Sequence, residues 1–362
     1  MKRVWLTVIL AAAWCLAVPT GAQIPQIKTL GKKAASAEKK AAKEATFTEE
    51  EERLLGADIS AKLRARYGVV QDPAIHKYVS LLGTLLAQSS DRPKLKWTFI
   101  VLDTDGINAF AAPGGFIHIT RGALALIRNE SELACVLGHE ISHVVYKHTL
   151  IAIRNAKYES AAGKAVTAVT HSDIVEKALA KGYSITLENA FSATEEEESD
   201  AAGVSLANGL NYSPNGLSAF LQRLDDRNKG LNDRSGLFAS HPQTKERLEE
   251  IASLIEDEGL KGSAIVQARY SRSVTYRSVG VSQLSHVPQA TDTTAKAEPQ
   301  KSGLDKFLGG LSNLGKPNSS SATGSRAAVN PDRDAKGGPN KAVVVVTVTP
   351  AEIAAFRKGI VG

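Results

Sequence analysis

Two histidines four residues apart, His139 and His143, bracket Glu140 in the stretch LGHEISHVVYKH, which runs from Leu137 to His148. On a helix, four residues turn the chain by about 400°, which leaves the two imidazoles about 40° apart on one face and able to reach one ion. Glu140, about 100° from His139, can touch what that ion binds without ligating the ion itself. Zinc suits such a donor set: it takes neutral imidazole, polarises a carbonyl and brings its bound water toward a pKa of about 7, where a neighbouring carboxylate can accept the proton. A helix carrying two hydrogen-bonded core histidines and an exposed glutamate would read the same, so the pentapeptide alone decides nothing.

A catalytic zinc needs a third protein ligand and one open position. Residues 191–203, FSATEEEESDAAG, offer carboxylates. Alone, that run is a solvated acidic face. Beside HEISH it becomes a source of ligands, because a helix returning to the first would carry a carboxylate to the ion, and a second carboxylate one turn on can hold a ligating histidine's free N–H. Glu196 and Asp200 have that i, i+4 relation, and Ala201, Ala202 and Gly203 leave room for close helix contact. Glu195 and Glu197 are rival ligands within the same run.

Other candidates are weaker. His148 lies five residues past His143, about 140° around a continuous helix, which assigns it a structural place outside the site. Cys135 is one turn before His139 and reads as a buried small side chain. His241, in SHPQ, precedes a helix; it is a candidate fourth zinc ligand or oxyanion donor, against simple packing at the start of that helix. The stretch PGGFIHIT is read as an edge strand beside the ion, with Gly114, Gly115, Phe116, Ile117 and His118 placed to pair with an extended polypeptide; the alternative is a plain structural hairpin.

The elements that must hold these groups follow from period and punctuation. FTEEEERLLGADISAKLRARYG predicts a helix capped by Thr48, with Leu54, Leu55, Ile59 and Leu63 at helical spacing. PAIHKYVSLLGTLLAQ, 73–88, predicts another with Pro73 in its first turn, and WTFIVLD, 97–103, a buried strand. The histidine helix opens at Asn129, with Glu132 three residues on in a capping box. One long helix is expected over about 184–208, a further one over 213–224 starting at Ser213, and a last one in HPQTKERLEEIASLI. Residues 158–182 are rich in Ala, Gly and Thr, and form a candidate lid.

Composition bounds the rest. With 362 residues, 43% hydrophobic and 23% charged, the chain is globular in character. Residues 1–22 have a basic start, a short apolar run and small residues before Gln23, the pattern of a secretory signal peptide. Its loss removes Lys2, Arg3 and Cys15, so the net charge falls from +6 to about +4 and Cys135 stands alone with no disulfide possible. Nothing in that charge or in any motif points to nucleic acid, and no integral transmembrane helix is expected after cleavage. The organisation read from texture is a Lys/Ala-rich leader at 23–46, a metallopeptidase domain at 47–262, a basic strand segment at 263–287, a disordered linker at 288–341 and a strand-helix element at 342–362.

The linked motifs resemble those of peptidase family M48, the HtpX and CAAX-prenyl-protease type of zinc endopeptidase, and especially its exported, soluble BepA-like members. They are Asn108, Ala109 and Phe110 with Pro113, Gly114 and Gly115; then His139 to His143; then Glu196 to Asp200. Ala193 stands where the family often has Arg and Ser199 where it has Ala, so the register rests on the acidic residues. The resemblance covers roughly 47–256. It implies a mainly helical α+β, gluzincin-type fold with a small sheet, one Zn2+ per chain on His139, His143 and Glu196, Glu140 as general base, and Asp200 behind a ligating histidine. The implied function is cleavage of unfolded or misassembled envelope proteins in the periplasm, with peripheral association with envelope complexes. The rival is a chaperone or assembly factor with a structural or latent zinc site.

Overall fold

The computed structural model describes residues 47–161, 180–187, 191–229, 245–287 and 331–361. The signal and leader sequences, most of the candidate lid, residues 288–330 of the expected linker and His241 lie outside those residues.

Thr48 caps helix α1 (Glu49–Tyr67) in a full capping box with Glu51. Leu55, Ile59 and Leu63 are buried, whereas Leu54 faces solvent. Asp72 caps α2 (Pro73–Gln88), with Pro73 in its first turn. Three short strands follow, β1 (Thr98–Leu102), β2 (Ala109–Ala112) and β3 (Phe116–Thr120). Their order is β1-β3-β2: β3 is parallel to β1, with Ile100 opposite His118, and antiparallel to β2, with Phe110 opposite His118.

This order corrects the expectation for PGGFIHIT. Phe116, Ile117 and His118 lie in the central strand, whose backbone is paired on both sides, so it has no edge to offer a peptide. Gly114 and Gly115 have φ of 70° and 88° and form the turn between β2 and β3 that Gly permits. Among the described residues β2 pairs only with β3, and it is the edge that faces the histidine helix.

Alternation along the strands builds two cores. Phe99, Val101, Ala109, Ala111, Ile117 and Ile119 face the larger one, with α2 and the histidine helix. Ile100, Leu102, Phe110, Ala112 and Phe116 face α1 on the other side. His118 follows this second parity: its Nε2 is 2.8 Å from Ser60 Oγ of α1, and the ring is buried on the side of the sheet away from the zinc-type motif.

After β3 come α3 (Arg121–Leu126), α4 (Glu130–Val145), α5 (His148–Ala161), a helical stretch at 180–187, α6 (Ala193–Gly209), α7 (Gly216–Asn228), α8 (Lys245–Asp257) and α9 (Gln267–Ser273). The expected helix over 184–208 is thus two pieces, because Ser192 and Glu195 form a capping box that starts α6 anew. Helix α7 starts at Gly216 rather than at Ser213, whose carbonyl accepts from Ser131 Oγ.

Where basic strands were expected at 263–287, α9 and a 3₁₀ turn at Val281–Gln283 form, with only single bridges at Ala264 and His286. Residues 331–341 pack on the domain. Buried Asp332 pairs with Arg227 and accepts from the Ile107 N–H, Gly337 approaches the Tyr67 backbone too closely for a side chain, and Gly338 lies as tightly against the Asp103 side chain. Residues 341–349 form no strand, and α10 (Pro350–Lys358) docks on α2. No helix among the described residues is long and apolar enough to cross a membrane.

Candidate metal centre

Helix α4 carries both histidines. Asn129 caps it by accepting from the Glu132 N–H, while the Glu132 carboxylate accepts from the Arg128 N–H and from Arg223 rather than closing a capping box on Asn129. The helix is buried almost throughout, because α6 crosses it at contact distance. Two glycines make that crossing possible: a Cβ on Gly203 would fall 2.4 Å from the His139 nitrogen, and one on Gly138 would fall 2.7 Å from the Gly203 carbonyl oxygen. The close approach brings Glu196 over the histidine face.

The Ser192 cap then gives each glutamate of the acidic run its direction. Glu195 turns back, accepting from the Ser192 N–H at 2.7 Å and from its hydroxyl at 2.9 Å. Glu196, one residue on, points inward and is buried. Glu198 reaches His148, with Oε2 3.3 Å from Nε2. Of the rivals, Glu195 is therefore engaged as a cap, and Glu196 is the carboxylate that joins the two histidines.

His139 Nε2 and His143 Nε2 lie 3.1 Å apart, and each is 3.6 Å from an oxygen of Glu196. Tetrahedral donors at about 2.0–2.1 Å from a shared ion stand about 3.3–3.5 Å from one another, so these three side chains fit a zinc ion in spacing and in chemistry. The remaining histidine nitrogens are turned to partners. His139 Nδ1 is 2.8 Å from Asp200 Oδ1, which sets Nδ1 as the protonated nitrogen and leaves the Nε2 lone pair facing inward. Glu140, on the same helical turn, is fully buried.

Arg247 of α8 was missed in the sequence. It donates to both oxygens of Asp200 at 2.7 Å, and its Nη1 is 2.9 Å from Glu196 Oε2, so one buried guanidinium holds both carboxylates. Burial alone would raise the Asp200 carboxyl, but the Arg247 charge and the His139 ring outweigh it and hold it down to about 2. A signal did exist. Arg247, Ile251 and Leu254 share the buried stripe of α8, and an arginine on an apolar stripe requires a buried anion.

His148 also differs from its expected place. Helix α4 ends at Val145, and Lys147, at φ 60°, breaks the rotation that the 140° argument assumed. His148 begins α5 and turns back, with Nδ1 2.8 Å from His143 Nδ1. Cys135 is buried as expected, and burial pushes its thiol up to about 12. A narrow crevice of about 10 Å³, room for about one water, is bordered by Ala111, Ala112 and Pro113 of the β2 end and by His143 and Lys147.

A family profile for peptidase family M48 matches residues 73–255, just over half of the chain and the whole of this site. The β-barrel assembly-enhancing protease of Yersinia pestis is 28% identical over 216 residues, covering 57% of this chain and 44% of that protein. The Escherichia coli K12 protein of the same name is 27% identical over 195 residues, 52% of this chain and 40% of its own length. The mitochondrial metalloendopeptidase OMA1 of Schizosaccharomyces pombe is 26% identical over 218 residues, 58% and 63% respectively. The chain thus spans about half the length of the curated relatives it matches. With its three-ligand HExxH-type site, the chain belongs to peptidase family M48.

Proposed function

We propose that the protein is an endopeptidase that takes one zinc ion on His139, His143 and Glu196 and hydrolyses unfolded or misassembled polypeptides of the cell envelope. The observation that carries this reading is the convergence of three buried donors beside a buried glutamate on one helix. The bound zinc supplies a Lewis acid and an acidified water. Glu140 accepts the proton as water attacks the peptide carbonyl, holds it on its carboxylate and returns it to the departing amine nitrogen. Asp200 holds His139 in its donor tautomer, and Arg247 pairs with Asp200 and Glu196 and holds both in place.

Among the described residues β2 has a strand partner on one side only, and this edge, which ends next to His143, supports an extended substrate paired through its backbone and so with limited sequence selectivity. The substrate class rests on the signal-type sequence at 1–22 and on the names of the bacterial relatives, β-barrel assembly-enhancing proteases. Both support a place in the periplasm or against envelope complexes.

The test is cleavage of casein by the purified chain and by Glu140→Gln, with zinc measured in both. The variant should hold zinc at the same stoichiometry and cleave nothing. Equal cleavage by the two forms would remove Glu140 from the mechanism, and a wild type that binds zinc yet cleaves no unfolded protein would favour a structural site.

A further inference from the structure

Directly behind the metal-binding face lie three side chains that the proposed chemistry leaves unused, His148, Glu198 and Ser199. His148 is wholly buried, with Nδ1 2.8 Å from His143 Nδ1 and Nε2 3.3 Å from Glu198 Oε2. Ser199 Oγ is 3.4 Å from the same Nδ1. Two imidazole nitrogens at 2.8 Å share one proton, so one donates and the other accepts.

The direction follows from His143. Its Nε2 faces His139 Nε2 and Glu196, and a neutral ring that offers its lone pair at Nε2 carries its proton on Nδ1. That N–H donates to His148 Nδ1. A neutral His148 accepting there carries its own proton on Nε2, where Glu198 can accept it. Ser199 can donate to the same acceptor nitrogen. Phe191 stacks on the His143 ring at a centroid distance of 4.2 Å and restricts its plane.

We infer that His148 and Glu198 are positioning residues for the metal ligand His143: the chain Glu198, His148, His143 fixes the tautomer and plane of that ring, as Asp200 fixes His139. The two ligating histidines are then supported from opposite sides, one by a carboxylate directly and the other by a carboxylate through an imidazole. The usual partner of a ligating histidine is a carboxylate, a carbonyl or water. An imidazole in that place works only if its own tautomer is held, and Glu198 holds it. The i, i+2 relation of Glu198 to Glu196 on α6 lets one helix supply both the third ligand and the support for the second. This inference rests on His143 binding the metal.

Zinc affinity of the full chain, measured by competition with a chromophoric chelator, separates the possibilities. His148→Leu should weaken zinc binding by about 10–100-fold, the usual loss when such a partner is removed. His148→Asn, whose carbonyl oxygen can accept near the position of Nδ1, should recover most of it. Glu198→Ala should weaken binding less than His148→Leu, and ¹⁵N spectra of the loaded wild type should show His143 protonated at Nδ1. Affinity of His148→Leu within about twofold of wild type, or His148→Asn as weak as His148→Leu, would overturn the inference. Should His148→Leu not fold, Glu198→Ala decides, because its carboxylate is at the margin of the core and unchanged affinity there removes the chain. A wild type that binds no zinc at all would instead overturn the metal site itself.

Discussion

Replacing Arg247 with Met leaves two carboxylates, Asp200 and Glu196, buried without their shared counter-charge. The Asp200 carboxyl is held down to about 2 in the folded chain against 3.8 ordinarily, the net of burial raising it and of Arg247 and His139 lowering it, which is on the order of 2 kcal/mol at about 1.36 kcal/mol per unit. Because the folded carboxyl titrates below the unfolded one, that contribution is fully present at pH 7 and is lost only as pH falls through 3.8 toward 2. The same guanidinium makes a second buried ion pair, from Nη1 to Glu196 at 2.9 Å. Removing one member of such a buried set is expected to cost about 3–5 kcal/mol. For a folded unit of this size that is a fall in Tm of about 6–20 °C. The assay is thermal melting of the metal-stripped full chain for wild type, Arg247→Met, Asp200→Asn and the double variant. The double variant should be more stable than the summed single effects predict, by about 0.5–3 kcal/mol. Strict additivity, or a loss below about 1 kcal/mol for Arg247→Met, would refute the claim that the guanidinium holds the carboxylates in place.

Three further outcomes follow from the packing. Gly203→Ala places a methyl group against the His139 backbone, so α6 must move off α4; we expect about 1–3 kcal/mol of destabilisation and weaker zinc binding in calorimetry. Burial pushes the His118 ring down to about 3, so the unfolded chain takes a proton that the folded chain refuses; stability is full above about 6.5 and falls as pH drops toward about 3, and the urea-unfolding advantage of wild type over His118→Gln should shrink across that window. Ser192→Ala removes the cap that starts α6 and should cost about 0.5–2 kcal/mol in the same assay, with Glu195→Ala leaving zinc stoichiometry unchanged.

Much of the site is legible in the residues themselves because helix geometry is local. The turn angle between His139 and His143, the i, i+4 relation of Glu196 to Asp200 and the small residues around Gly203 all operate over a few residues, and each has a counterpart in the folded chain. What the sequence hides is set by contacts distant along the chain. Sheet order depends on which strand β1 pairs with, and a glycine turn looks the same before an edge strand and before a central one. The break at Lys147 has no Gly or Pro to announce it, so His148 could not be placed by angle. The segment at 331–341 has the Gly and Pro content of a linker, yet Gly337 serves close contact with the Tyr67 backbone and Gly338 with the Asp103 side chain, while Asp332 pairs with Arg227. Ser192 and Arg247, by contrast, were readable: one opens a capping box in SATE, and the other is a charge on an apolar stripe.

The central claim is that His139, His143 and Glu196 hold one zinc ion beside Glu140. Crystals of the zinc-loaded protein, measured on both sides of the zinc absorption edge, would locate the ion by anomalous difference density. A single peak should stand about 2.0–2.2 Å from His139 Nε2, His143 Nε2 and a Glu196 oxygen. A peak bound through Glu195 or Glu197, or no peak at these three side chains, would contradict it.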